Sequence, residues 1–337
     1  MGLESFGDLR YVVDERDPSD QPRFRVSRMR IGLINQLHGR PTSDTPAPTW
    51  MSIHERATTA ELVGFDIFVF EDALLYRGED GSDGLWESVS IAAALAATTA
   101  SIDLGQSVIN SPYRSPALTA KIAETIDEIS GGRFVLGIGA GNTPDSDYEA
   151  FGFPTDKRYS RFAEAIHIIH GLLKQGAADF EGEFYSARNA EMVLRGPRPQ
   201  GPPINIAGAG PKMLKLAARY GDAWNWWTAE EGLDEAKAKL ASLMESVDEA
   251  CVETGRDPAT LERTLDLYTV IPGEYVEEAE KAGHSVDRRV TGSSDEIAEH
   301  LLALADLGFV EIRCDVWPRT AAAIEAMKPV VDALHAV

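Results

Sequence analysis

From Arg28 onward, apolar runs of strand length alternate with segments whose apolar residues recur at helical spacing. That alternation predicts a parallel sheet with crossover helices. Eight strand segments are expected: Met29 to Gln36, Phe65 to Glu71, Ile102 to Ile109, Arg133 to Gly139, Pro203 to Ala207, Ala223 to Trp227, Arg263 to Ile271 and Phe309 to Trp317. Each is followed by a helix, and several of the helices have legible ends. Ser52 with Glu55 and Ser293 with Glu296 have capping-box spacing. Arg161 to Lys174 puts Phe162, Ile166, Ile169 and Leu173 on one face, and Gly176 stops it. Pro211 suits the first turn of another helix, which Gly221 follows. Eight strand–helix pairs predict an α/β fold, a (β/α)8 TIM barrel with insertions, whose functional residues gather at the C-terminal strand ends. Residues 1–27 are expected to be an N-terminal arm, and residues 28–337 a single barrel domain.

Three connections are long. Residues 37–51, with Pro41, Pro46 and Pro48, follow the first strand and are read as a lid, or else as a proline-stiffened surface loop. Residues 142–157 follow the fourth strand and should line the mouth. Residues 180–202 follow a helix, so they should lie at the far end and serve structure.

Glycine marks two of the strand ends. Gly137, Gly139 and Gly141 follow the apolar run Phe134 to Leu136, and a second turn runs Ile206-Ala-Gly-Ala-Gly-Pro-Lys212 into a helix. Main chain without a Cβ can approach a bound group, and a helix N-terminus favours an anion. Connecting turns need glycine too, so either turn alone is weak evidence. The first turn continues into a polar loop rather than a helix, which removes it as a dinucleotide fingerprint.

Charge narrows the partners. The 337 residues carry 32 Lys and Arg against 54 Asp and Glu, a net charge of −22 that opposes nucleic acid and anionic membranes. The longest apolar run, Ile91 to Ala97, is too short to span a bilayer, and the first residues lack a signal-peptide core. A cytoplasmic protein with no membrane partner is expected. Cys251 and Cys314 fit buried apolar positions rather than a disulfide framework. His167 and His170 lack a third ligand, so no metal site is expected, and there is neither a serine nucleophile elbow nor a P-loop.

Four segments, in order, carry a resemblance: Gly64-Phe65-Asp66 leading to Glu71-Asp72, Leu104-Gly105-Gln106-Ser107-Val108, Gly131 to Asn142, and Gly208 to Asp222. From about Arg28 to Ala333 the chain resembles the luciferase-like monooxygenase superfamily. That resemblance implies a TIM barrel, a flavin-type cofactor, a small-molecule organic substrate and a homodimer. Within it the chain looks most like the branch that uses the deazaflavin coenzyme F420, with FMN as the alternative cofactor.

The resemblance implies roles for particular residues. Ser107 and Val108 stand where that branch has a non-proline cis peptide behind the flavin ring. Ala209 and Gly210 match the pair that holds the cofactor phosphate, within a cradle of Gly208, Ala209, Gly210, Pro211 and Lys212. Ala140 and Gly141 match backbone cofactor contacts, and Asp145 matches a polar one. Lys212 and Arg114 are candidate cations for a phosphate or an oligoglutamyl tail. The branch's sugar-phosphate dehydrogenases carry a histidine and a glutamate where this chain has Ala73 and Asn142, which argues against that substrate. His38, Asp72 and Asn142 are the candidates nearest the chemistry, His38 as proton donor and Asp72 either as a hydrogen-bonding group or as a cap. Hydride transfer with F420 is thus expected, with a reduced-FMN monooxygenase or a non-catalytic flavin-binding protein as alternatives.

Overall fold

Every predicted strand forms, trimmed by one to three residues at some ends and slightly extended at others, and all eight close into one parallel barrel. The computed structural model describes residues 28–40, 47–78, 81–141, 144–228, 233–283 and 289–336. The expected arm at 1–27 and the candidate Asn142 lie outside the described residues. The barrel strands are β1 (Arg30–Asn35), β2 (Ile67–Phe70), β3 (Asp103–Gln106), β4 (Phe134–Gly139), β5 (Ile204–Ala207), β6 (Ala223–Thr228), β7 (Glu262–Pro272) and β8 (Glu311–Val316). Each pairs with the next, and β8 pairs back to β1 with Ile31 opposite Ile312. Between β4 and β5 the register sets Gly137 opposite Asn205.

Alternation along the strands sorts two cores. One face of each strand packs Ile31, Phe68, Leu104, Phe134, Ile204 and Trp224 into the main core. Each such side chain, fully buried, contributes about 1.5–3 kcal/mol. The other face fills the barrel. Its apolar content is a small separate cluster of Ile67, Val69 and Val135, with Ile34 against it. The rest is largely polar. Arg30 pairs with Asp103 at 2.9 Å and with Glu311 at 3.2 Å, while Arg313 pairs with Glu311 at 2.6 Å and Asp266 at 3.5 Å.

The helices show where end signals hold. The capping box at Ser293 and Glu296 opens the helix Ser294–Ala305, as predicted. At the first helix, Trp50–Val63, the cap is Thr49 instead, because the helix starts before Ser52. The Thr49 hydroxyl accepts from the Ser52 amide at 3.2 Å, and the Ser52 hydroxyl turns back to the Thr49 carbonyl at 2.9 Å. The helix Arg158–His170 continues as one π turn, Gly171–Gln175, before Gly176 ends it in the left-handed conformation at φ 77. We label the helix after β5, Pro211–Tyr220, α5.

Two insertions bear on the ends of the barrel. At the mouth, His38–Gly39 pairs with Gly81–Leu85, which pairs with Leu75–Gly78, giving a three-stranded antiparallel sheet built from the connections after β1 and β2. At the far end, the connection before β5 folds into a hairpin, Ala177–Glu181 with Ser186–Glu191. A cleft of about 530 Å³ there is lined by His167, His170 and Tyr220 among others. Among the described residues no group of His, Cys, Asp and Glu could hold a metal ion, and no helix is long and apolar enough to cross a membrane.

Candidate active site

Ile67 and Val69 face the barrel interior, so the strand period carries Glu71, just past β2, to the same side at the mouth. Its carboxylate is a hub. It accepts from the amides of Leu37 at 2.8 Å and His38 at 3.2 Å, and from the Tyr76 hydroxyl at 2.8 Å. His38 Nδ1 lies 2.7 Å from the same carboxylate, and the Tyr76 ring meets the imidazole edge-on. Burial works against ionisation of both partners, but their mutual hydrogen bond and opposite charges prevail. His38 is held above its ordinary pKa and Glu71 below its own. The raised imidazole pKa means that this pair stabilises the fold below the ordinary value of 6.5 and ceases to as pH rises through the raised one.

The neighbouring Asp72 sits differently. It is 3% exposed, and its oxygens accept from Ser88 Oγ at 2.6 Å, the Asn110 amide at 2.9 Å and both Arg114 terminal nitrogens at 2.7 and 2.9 Å. That ties the connections after β2 and β3 together. Arg114 also pairs with Glu87 at 2.6 Å, so the idea that this arginine serves a phosphate or tail is corrected: its charge is spent on two carboxylates.

Beyond β3 the chain bulges. The Ser107–Val108 peptide is cis, in the position the resemblance implies. Ser107 donates its hydroxyl proton to Asp266 at 2.5 Å and accepts from Asn225 at 3.3 Å, which commits the side chain to the interior network. Burial raises the Asp266 pKa, with Arg313, Ser107 and Asn225 opposing. Val108 packs towards β4, where a Cβ on Gly139 would lie 3.1 Å from its Cγ2. A Cβ on Gly137 would run into the Gln106 carbonyl oxygen, and one on Gly141, at φ +87, into the Tyr148 hydroxyl. These contacts revise the glycine reading. Gly137 and Gly141 are small because the protein's own atoms fill the space.

The third component is the start of α5. Its N-cap, Gly210, has no side-chain cap, and a Cβ there would meet nothing within 4 Å. Gly208 and Ala209 are partly buried beside it, Pro211 and Lys212 are exposed, and Lys212 Nζ lies 5.3 Å from the Tyr159 ring centre. Asp145 opens a short helix, Asp145–Ala150, and pairs with Arg158. Ala140 is partly buried at the end of β4.

The sequence matches the luciferase-like monooxygenase family over residues 29–286. The chain belongs to that family. Among relatives of this luciferase-like protein, a 5,10-methylenetetrahydromethanopterin reductase of Archaeoglobus fulgidus is 35% identical over 59% of this chain and 62% of its own. An F420-dependent glucose-6-phosphate dehydrogenase of Kineococcus radiotolerans is 32% identical over 51% of this chain and 50% of its own. The chain thus spans between half and two thirds of the length of these curated relatives. A solved structure of an F420-dependent secondary alcohol dehydrogenase, in complex with an F420–acetone adduct, superposes with a TM-score of 0.76 at 18% identity, covering 91% of this chain and 99% of that one. At that identity the likeness establishes the shared barrel.

In this luciferase-like barrel the structure brings His38, Ser107, Val108, Ala140, Gly141 and the start of α5 to the C-terminal strand ends, and it buries Asp72 among them in an ion pair. Glu71 entered the sequence reading only within a family segment, with no role assigned, and Tyr76 and Asp266 did not enter it as site residues. Period two from Ile67 and Val69 points to Glu71, and no such signal reaches Tyr76 in its hairpin.

Proposed function

We propose that this protein is an oxidoreductase that uses the deazaflavin coenzyme F420 to move a hydride to or from a small organic substrate. The observation that carries the reading is the uncapped N-terminus of α5, with an exposed glycine at its cap, set at the barrel mouth. Uncapped amides and the positive end of a helix dipole suit a phosphate. The 32% identical relative, named as an F420-dependent dehydrogenase, and the 35% identical relative, named as a reductase, support it.

The residues fit such a group in two parts. Gly208, Ala209 and Gly210 with Lys212 would hold the phosphate, Pro211 starting the helix without an amide of its own to place. Val108, with the backbone of Ser107, Ala140 and Gly141, would border the ring. When bound, the coenzyme supplies or accepts the hydride. The chain supplies the proton. His38, with Nδ1 directed to Glu71, keeps Nε2 for a substrate heteroatom, and no hydrogen bond engages Nε2 among the described residues. Asp72 acts by fixing the loops, and Asp145 borders the cofactor side. The same reading takes the protein to work as a homodimer in the cytoplasm.

Titration with oxidised and reduced F420 and FMN, followed by fluorescence and calorimetry, tests this. F420 should bind tighter than FMN by at least roughly tenfold, about 1.4 kcal/mol. Tight binding of reduced FMN with no affinity for F420 would replace the reading with a two-component monooxygenase. F420 binding without turnover on carbonyl, imine, alkene and alcohol substrates would leave a non-catalytic flavin-binding protein.

A further inference from the structure

We propose that Glu71 is a positioning residue: it holds His38 with Nδ1–H toward the carboxylate, so that Nε2 is the atom that gives and takes the proton at the barrel mouth. The inference rests on the reading of His38 as proton donor. Its basis is the arrangement of four donors around one carboxylate. Two of them, the amides of Leu37 and His38, belong to the chain that leaves β1, so Glu71 anchors the backbone that carries the imidazole as well as the ring itself. Tyr76, from the hairpin after β2, closes the far oxygen at 2.8 Å and packs edge-on against the ring at 5.3 Å between centres. With the backbone, Nδ1 and one ring edge held, the imidazole has one orientation. Its exposed fraction, 28% of the side chain, leaves a route to the remaining nitrogen.

A carboxylate at Nδ1 selects the tautomer with the proton there when the ring is neutral, and favours the doubly protonated ring over a wider pH range. The other charges around His38 are Arg319, after β8, which opposes protonation, and Asp83, on the return strand of the hairpin, which assists it. Asp83 is itself paired with Arg40 at 2.5 Å, which weakens its influence. Glu71 is the charge in direct contact. In the reductive direction the substrate carbon receives the hydride from the reduced coenzyme and its heteroatom receives the Nε2 proton. The imidazole is left neutral, keeping its Nδ1 proton and donating it as a hydrogen bond to Glu71. In the oxidative direction the same nitrogen takes the hydroxyl proton as hydride leaves carbon.

The test is the titration of His38 by ring nitrogen and carbon NMR in the full chain, read beside the pH profile of kcat with reduced F420. Glu71→Gln keeps the shape and an oxygen acceptor for the two amides but removes the charge. It should lower the His38 pKa by about one unit or more, mix the neutral tautomers, and move the fall of reductive kcat to lower pH by the same amount. Tyr76→Phe keeps the charge and should leave the tautomer as in the parent. An unchanged His38 titration and tautomer in Glu71→Gln overturns the proposal. A His38→Ala protein with full turnover overturns the proton-donor reading instead, and the NMR result separates the two failures.

Discussion

At the lower end of the barrel, Arg30 and Arg313 meet Asp103, Glu311 and Asp266, and each charge there finds its counterpart in another strand. At the mouth, Glu71 meets His38 and Tyr76, yet the imidazole keeps a nitrogen in reserve, and the start of α5 has no side-chain cap. Both regions are polar and both lie on the same eight strands. They differ in what is left over. A network whose charges pair with one another can hold strands in register but has little charge to offer a ligand, whereas an open imidazole nitrogen and a free helix end make a site. TIM barrels commonly fill the interior with layers of branched apolar side chains. Here the apolar interior shrinks to Ile67, Val69, Val135 and Ile34, and ions take much of the remaining role.

The sharpest way to break that comparison is Glu311→Gln. Glu311 is fully buried and bridges both arginines, so the substitution strips charge from two buried pairs at once. Breaking a buried pair costs about 3–5 kcal/mol. Chemical and thermal melts should register that loss, while F420 affinity in the folded protein should stay near the parent value. A stable variant with weakened cofactor binding would mean that the two regions are one.

A smaller effect is expected at Gly137→Ala, on the boundary between them. The new methyl would press on the Gln106 carbonyl, which lies immediately before the bulge at Ser107 and Val108. Overpacking of this kind costs roughly 1–3 kcal/mol. Because relief requires β3 to shift, cofactor affinity should fall together with the denaturation midpoint. Loss of stability alone would show that the bulge is decoupled from the floor beneath it.

The two regions were not equally legible. Apolar runs and helical spacing gave all eight strands, since burial against the helices imposes that pattern directly. The charged interior is also written in period two, as Glu311, Arg313 and Asp315 on one face of β8, but a charge inside an apolar run is easily taken for an edge. At the mouth the reading was weaker. Glu71 and Asp72 are adjacent carboxylates, and only their facing separates a hub that holds an imidazole from an acceptor buried under Arg114. Arg114 itself looked like a cation for a phosphate because its partners, Asp72 and Glu87, are 42 and 27 residues away. The hairpin at Leu75–Gly78 and Gly81–Leu85 carries little apolar pattern, being polar and rich in glycine, so the residue that completes the His38 cluster, Tyr76, had no local signal.

The smallest effect is expected at Lys212→Ala, and its salt dependence is what makes it informative. Lys212 lies exposed in the first turn of α5, so its charge adds to the helix end through solvent rather than through a buried contact. An exposed charge near a helix end is worth about 0.3–1 kcal/mol at low ionic strength, roughly a two- to fivefold loss of F420 affinity on substitution. Raising the salt should erase that difference, since charges beyond about 8–10 Å are screened at 0.1–0.15 M. The loss caused by Glu311→Gln should persist in the same buffers because its partners are out of water. If Lys212→Ala weakened binding by the same factor at high salt, the lysine would be making a direct, desolvated contact. The start of α5 would then be a finished site like the ionic network below it, rather than an open one.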